Sequence, residues 1–288
     1  DPVTGQLEGF PPVSYEGNFI TIATRHFDLT SVINTSLPRT GKYVEIILTS
    51  MDTQYLHSLE LNTGFVPGVD DWEYTNFGTM ENPGGICAGM STTAMWYYDF
   101  RKKQEGQLYG KFDAVTEIDP FGRDAFWFDN TQGILFASRV QSLYITNLNT
   151  PSGQSSFYEH FVPIVANPLA QFRSFAYMMV LTGQPQYISV HNQSGSHALV
   201  VYGISQGKLK VSDPNWPTQK DREIVFDFVQ NKFMPYLGFV QADGTQFSFT
   251  KFYYCARSAI IDYNNMNTLY ANTLGKKSTK GIGCFPNY

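Results

Sequence analysis

The chain of 288 residues is 42% hydrophobic, 16% aromatic and 16% charged, with a net charge of −5. That apolar content suffices for a sizeable core, and the length suits one large domain or a domain of about 200 residues with a smaller module. Without a basic stripe to meet phosphates the chain is not expected to bind nucleic acid. Without an apolar run near the roughly 18 residues that cross a bilayer, no membrane span is expected. Low charge with abundant Tyr, Phe and uncharged polar residues suits a secreted or cell-surface protein. The chain begins at Asp1 with no basic or apolar leader, which fits a mature or trimmed form.

Residues 1–75 read as a β-rich N-terminal segment or accessory module. "NFITIATRHFDL" alternates apolar and polar residues, and "LPRTGKYVEIILTS" is a turn followed by a β-branched run. The Gly- and Asp-rich "VPGVDDWEYTNFG" predicts a junction, so a catalytic domain is expected over 76–288. From Met90 to Lys103 the apolar spacing turns helical, with Lys102 and Lys103 suited to a helix end and Gly106 to a stop. Residues 107–165 show no clear period. "NPLAQFRSFAYMMVLTGQP" predicts a second helix ending at Gly183 and Pro185. "QYISVHNQ", "HALVVYGI" and "KLKVSDPNWP" then read as strands joined by the turns "SGS" and "SQG". "REIVFDF", "FSFTKFYYCA" and "SAIIDY" are further strand candidates, and the tail "LGKKSTKGIGCFPNY" is polar. Helices followed by an antiparallel sheet predict an α+β fold.

Chemistry concentrates at "ENPGGICAGMSTTAMWYY", residues 81 to 98. Cys87 stands where a Gly-Gly turn feeds a helix. Unpaired backbone N–H groups at a helix start stabilise a thiolate, the reactive form of cysteine. Gly84 and Gly85 permit substrate to approach closely. The plain alternative is a small buried hydrophobe. His197 opens an apolar strand and is a candidate general base, which needs a third group to orient it. Asp213 lies 213 − 197 = 16 residues on, a distance that one hairpin can close, and Asn215 is the reserve. Each residue alone has a structural reading; Asp-Pro-Asn, for instance, is a common turn. All three in order are less easily dismissed.

"GGICAGMSTTAMWYY", "GSHALVVYGI" and "KLKVSDPNWP" together resemble papain-like cysteine peptidases, most nearly the C39-like branch, over residues 76 to 262. The resemblance implies a helix headed by the Cys and packed on an antiparallel sheet that carries His and Asp. It implies Cys87 as nucleophile, His197 as base and acid, and Asp213 as the orienting residue. The reaction implied is hydrolysis of a peptide or isopeptide bond in a protein or peptide substrate, through a thioester and without metal or cofactor. The family's Gln six positions before the Cys is replaced by Glu81 (87 − 81 = 6), and an ionised carboxylate cannot donate a hydrogen bond. Asn82 and the Cys87 backbone N–H are the candidate oxyanion donors instead. The "CGxC" or "CGP" that usually follows is also absent.

Two other readings share the motifs. Transglutaminase-like acyltransferases run the same Cys, His, Asp order, although the spacing 197 − 87 = 110 suits the papain-like arrangement better. A degenerate papain-like fold kept as a binding module fits the missing Gln. His191 is a rival base within a strand run, and His26, His57 and His160 lack the companions of a metal site. Tyr97, Tyr98 and Trp216 are candidate groove-lining residues, with the aromatic run of the helix otherwise core. Cys255 and Cys284 can pair in an oxidising compartment, leaving Cys87 free.

Overall fold

A computed structural model describes residues 12–16, 19–22, 51–112, 131–149, 167–217, 219–240, 243–255, 257–261 and 263–274. Near the N-terminus, β1 (Pro12–Glu16) and β2 (Phe19–Ile22) pair antiparallel. The strand expected in "LPRTGKYVEIILTS" and the tail beyond residue 274 lie outside the described residues.

The site-bearing helix, α2 (Cys87–Phe100), follows α1 (Thr53–Ser58) and starts three residues before the apolar pattern predicts (90 − 87 = 3). Its first intrahelical bond runs from Met90 N to Ile86 O at 2.8 Å, so Cys87 occupies the first helical position. Lys102 and Lys103 belong to a separate turn, α3 (Lys102–Glu105), closed by Gly106 at φ 83°. Every residue of α2 from Ala88 to Tyr97 is buried, as expected of a helix apolar on all sides. Its closest neighbour is α4 (Thr131–Asn149), a helix within the stretch that lacks clear periodicity. A Cβ on Gly89 would lie 1.9 Å from the Ala137 carbonyl oxygen, so only glycine allows this approach. The free Gly89 N–H donates across the same interface to Gln141 Oε1 at 2.8 Å.

The second expected helix is α5 (Pro168–Thr182), and its signals work as read. Asn167 Oδ1 accepts from Ala170 N, Pro168 opens the helix, and Gly183 ends it in the left-handed region at φ 65°. Strands β3 (Glu60–Asn62), β4 (Gln186–His191), β5 (Ser196–Ser205), β6 (Lys208–Ser212), β7 (Glu223–Asp227), β8 (Lys232–Phe233) and β11 (Lys251–Cys255) form one seven-stranded sheet. Its order is β11-β4-β5-β6-β7-β8, with β3 also on β5, and every pair is antiparallel. The first half of β5 pairs with β4 and its last three residues with β3. One apolar cluster joins α5 to Val190, Leu199, Val201 and Val211; another joins α2 and α4 to Tyr187, Ala198 and Val200. These alternate residues show the sheet packed on both faces, giving an α+β architecture.

Two expectations are corrected. The run "FSFTKFYYCA" is two strands: β10 (Gln246–Phe249) pairs with β9 (Tyr236–Val240) in a separate hairpin, and β11 joins β4. "SAIIDY" is not a strand. Its start lies in α6 (Arg257–Ile260), closed by Ile261 N to Arg257 O, and α7 (Tyr263–Leu274) follows. Arg257 is buried, paired with Asp99 and hydrogen-bonded to Gln184 and the Pro185 carbonyl, so tertiary anchoring overrides local β propensity there. Residues before the expected boundary at 75 also pack into the described core. Leu56 and Leu59 belong to one core cluster, Phe65, Trp72 and Tyr74 to the other, and β3 completes the sheet.

Candidate active site

Cys87 is placed by the turn before it. Gly85 adopts φ +115°, a conformation that favours glycine, and Ile86 N donates to Asn76 Oδ1 at 2.6 Å. The thiol is half-buried and lies close enough to His197 for the imidazole charge to act on it. His197 is the second residue of β5. The pairing Val200–Ser212, continued one step, puts Asp213 across from Leu199, on the face and within the reach of His197. His197 Nε2 meets Asp213 Oδ1 at 2.7 Å, leaving Nδ1 for the sulfur.

Burial opposes charge at all three positions, and the charges win. Burial would push the Cys87 thiol up, but the adjacent His197 cation, its hydrogen bond and the backbone donors bring it below its ordinary value. Burial would neutralise His197, but the Asp213 and Cys87 charges and their hydrogen bonds raise its pKa. Burial would protonate Asp213, but His197, Tyr236 and the Asn215 N–H hold its carboxyl below the usual range. All three shifts run toward thiolate, imidazolium and carboxylate.

Asp213 is gripped from behind. Tyr236 donates its hydroxyl to Oδ2 at 2.5 Å, and Asn215 N donates to Oδ1 at 2.8 Å. Arg222 Nε donates to the Tyr236 oxygen at 2.6 Å and lies 3.3 Å from Asp213 Oδ2. The guanidinium is itself fixed by Gln219 Oε1 and the Leu237 carbonyl, and it covers the rings of Trp216 and Tyr236 at 5.2 and 4.8 Å. Burial and the neighbouring carboxylate raise the Tyr236 pKa, so the phenol stays protonated and donates.

Cys87 and His197 open on a cleft of about 450 Å³. Gly84, Asn76 and Asn215 line its polar side; Trp216, Phe239, Phe247 and Phe249 form an aromatic wall. The wall belongs to the β9–β10 hairpin: Phe239 and Phe247 stack at 4.5 Å, and Phe249 stacks on His197 at 5.9 Å. Trp216 is tied to the hairpin by its indole N–H, which donates to the Gly238 carbonyl at 2.6 Å. Among the described residues, no Asp, Glu, Lys or Arg lines the cleft.

The structure thus brings together Cys87, His197 and Asp213, with Gly84 and Trp216 on the cleft. Other expected site residues lie elsewhere. Asn82 is buried with its Nδ2 turned to Ser138 O, Ser138 Oγ and Ser142 Oγ at 2.9 to 3.0 Å, so it does not reach the cleft. Glu81 is exposed. Gly85 backs the cleft rather than lining it. Tyr97 is core, and Tyr98 donates to Thr63 O at 2.7 Å. His191 is bonded to Ser189 Oγ at 2.7 Å, away from the cleft, and burial followed by the Lys251 charge lowers its pKa. His26 and His160 lie outside the described residues. Cys255 is a free thiol that burial pushes up to about 12, and Cys284 lies outside the described residues. Among the described residues, no three His, Cys, Asp or Glu side chains cluster to hold a metal ion, and no helix is long and apolar enough to cross a membrane.

Sequence reasoning missed Asn76, Arg222, Tyr236 and the three phenylalanines. For the last, a signal exists: Asp243-Gly244 between the aromatic runs "YLGFV" and "QFSF" is a hairpin signature. For Asn76, Arg222 and Tyr236 no local pattern marks them, because their contacts are made across the fold. No family model, no curated protein and no solved structure matches the chain.

Proposed function

We propose that the protein is a cysteine peptidase or amidase of papain-like type, acting on a peptide or isopeptide bond outside the cytoplasm. The observation that carries this reading is that Cys87 and His197 open on one cleft with His197 bonded from behind to Asp213, and the pKa shifts of all three run toward the charged forms. The Cys87 thiolate attacks the substrate carbonyl carbon, and the carbonyl electrons move onto oxygen. As the tetrahedral intermediate collapses, the imidazolium gives its proton to the leaving nitrogen, and a thioester remains. His197, now neutral, takes a proton from water, whose oxygen attacks the thioester; the acid product leaves and the ion pair re-forms. Asp213 stays ionised throughout and holds the ring. The aromatic, uncharged cleft suits an apolar substrate side chain beside the scissile bond.

The test is cleavage of a fluorogenic peptide library by the wild-type protein and by Cys87→Ala. Cleavage that falls by at least about 10⁴-fold in the variant supports the reading. An unchanged rate, or a wild-type protein whose Cys87 reacts with limiting iodoacetamide only after denaturation, defeats it. Adding a labelled primary amine separates hydrolysis from acyl transfer: incorporation into the acyl group marks an acyltransferase.

A further inference from the structure

Acyl transfer at Cys87 develops negative charge on the substrate oxygen, and that charge needs preorganised donors. One is present by position: as the first residue of α2, Cys87 has a backbone N–H with no intrahelical acceptor. The second cannot come from Glu81, which is exposed, or from Asn82, whose amide is engaged by Ser138 and Ser142.

We infer that Asn76, from a separate segment, supplies the side-chain donor of the oxyanion site; this rests on the acyl-enzyme reading given above. Its amide is oriented without ambiguity, because Ile86 N can only donate and Asn76 Oδ1 accepts from it at 2.6 Å. Nδ2 is therefore the other end. One of its hydrogens goes to Asn215 Oδ1 at 3.0 Å, and the second has no partner among the described residues. Asn76 lines the cleft together with Cys87 and His197. Its backbone is also anchored, Asn76 N donating to Pro214 O at 2.8 Å, and its side-chain amide lies beside Gly85. A Cβ on Gly85 would come within 3.0 to 3.1 Å of the amide oxygen and nitrogen, so the glycine makes room for the donor one peptide away from Cys87. The result is a fixed N–H donor on the nucleophile's cleft that no contact among the described residues consumes.

Two reactions at the same sulfur test the assignment. Alkylation by iodoacetamide needs the thiolate but builds no oxyanion; acylation by N-acetyl-phenylalanine p-nitrophenyl ester needs both. Asn76→Asp keeps an acceptor for Ile86 N–H and removes the donor, and Asn76→Ala removes both without adding charge. Both variants are expected to lose about 10²- to 10³-fold in acylation, carried by kcat with KM little changed. Their alkylation rates at the pH plateau should stay within about twofold of wild type. Acylation retained within about threefold, or acylation and alkylation falling in parallel, overturns the assignment and leaves Asn76 a brace of the helix start. A wild-type protein that is alkylated selectively at Cys87 yet forms no acyl-enzyme overturns the hydrolase reading, and the oxyanion assignment with it.

Discussion

Asp213 accepts hydrogen bonds on both oxygens within a buried setting, from His197 and the Asn215 N–H on one and Tyr236 on the other. Its charge is the largest support of the His197 cation once burial is set aside, and that cation in turn depresses Cys87. Asp213→Asn should therefore lower the His197 pKa and raise that of Cys87. In alkylation rate against pH, the wild-type inflection should fall below the ordinary thiol value of 9.0 and move up in the variant. kcat/KM should drop by roughly 10²-fold or more. A second carboxylate close by behaves in the opposite way. Asp71 is buried, and desolvation raises it from 3.8 to about 6 despite hydrogen bonds from Ser212 and Gly68. A raised folded-state pKa gives stability present below about 3.8 and lost as pH rises through about 6. Asp71→Asn should thus be more stable than wild type at pH 8, by up to about 3 kcal/mol, with the difference vanishing below pH 4. Urea denaturation across that pH range reads the effect directly.

At the level of elements, the contact that sets the nucleophile's helix is the approach of α2 to α4 at Gly89. Its added Cβ would meet a backbone oxygen, which cannot rotate away as a side chain can. Gly89→Ala is expected to destabilise by at least about 1–3 kcal/mol, by forcing two helices apart in a packed core. Gly84→Ala is the matched control, since a Cβ there meets nothing within 4 Å and its φ is not positive. Its denaturation midpoint should stay close to wild type. If both variants unfold at the wild-type midpoint, close helix packing is not what fixes Gly89.

Across the whole molecule, residues 51–75 of the β-rich N-terminal segment or accessory module contribute side chains to the core. Leu56, Leu59, Phe65, Trp72 and Tyr74 are all buried, and Thr63 N and Oγ1 donate to the Tyr202 carbonyl. Burying such a side chain contributes about 1.5–3 kcal/mol, so the five together rival the whole stability of about 5–15 kcal/mol of a typical domain. A chain shortened to begin at residue 76 also loses β3 and Thr75 of the cleft. It is expected to lack cooperative unfolding and near-ultraviolet circular dichroism. A shortened chain that unfolds cooperatively and keeps its Cys87 reactivity would restore the boundary at 75.

By itself the sequence determined the parts of this protein whose causes are local. The α+β pattern, the ends of α5 at Asn167 and Gly183, and the hairpins that carry β4, β5 and β6 are written in capping residues, turn residues and apolar periods. Cys87, His197 and Asp213 were legible for the same reason: one begins a helix, one stands at the start of a strand after its first residue, and one hairpin of fixed register brings the third beside the second. Tertiary structure alone decided which neighbours complete them. Asn76 reaches the helix start, Tyr236 and Arg222 grip Asp213, and Asn82 turns away to α4, through contacts between segments far apart in sequence. It also decided that Arg257 begins a helical turn and that Leu56, Leu59, Phe65, Trp72 and Tyr74 belong to the core. Periodicity and spacing record what a residue's chain neighbours impose; they do not record which distant polar group satisfies a buried one, and here that settled the surroundings of the cleft.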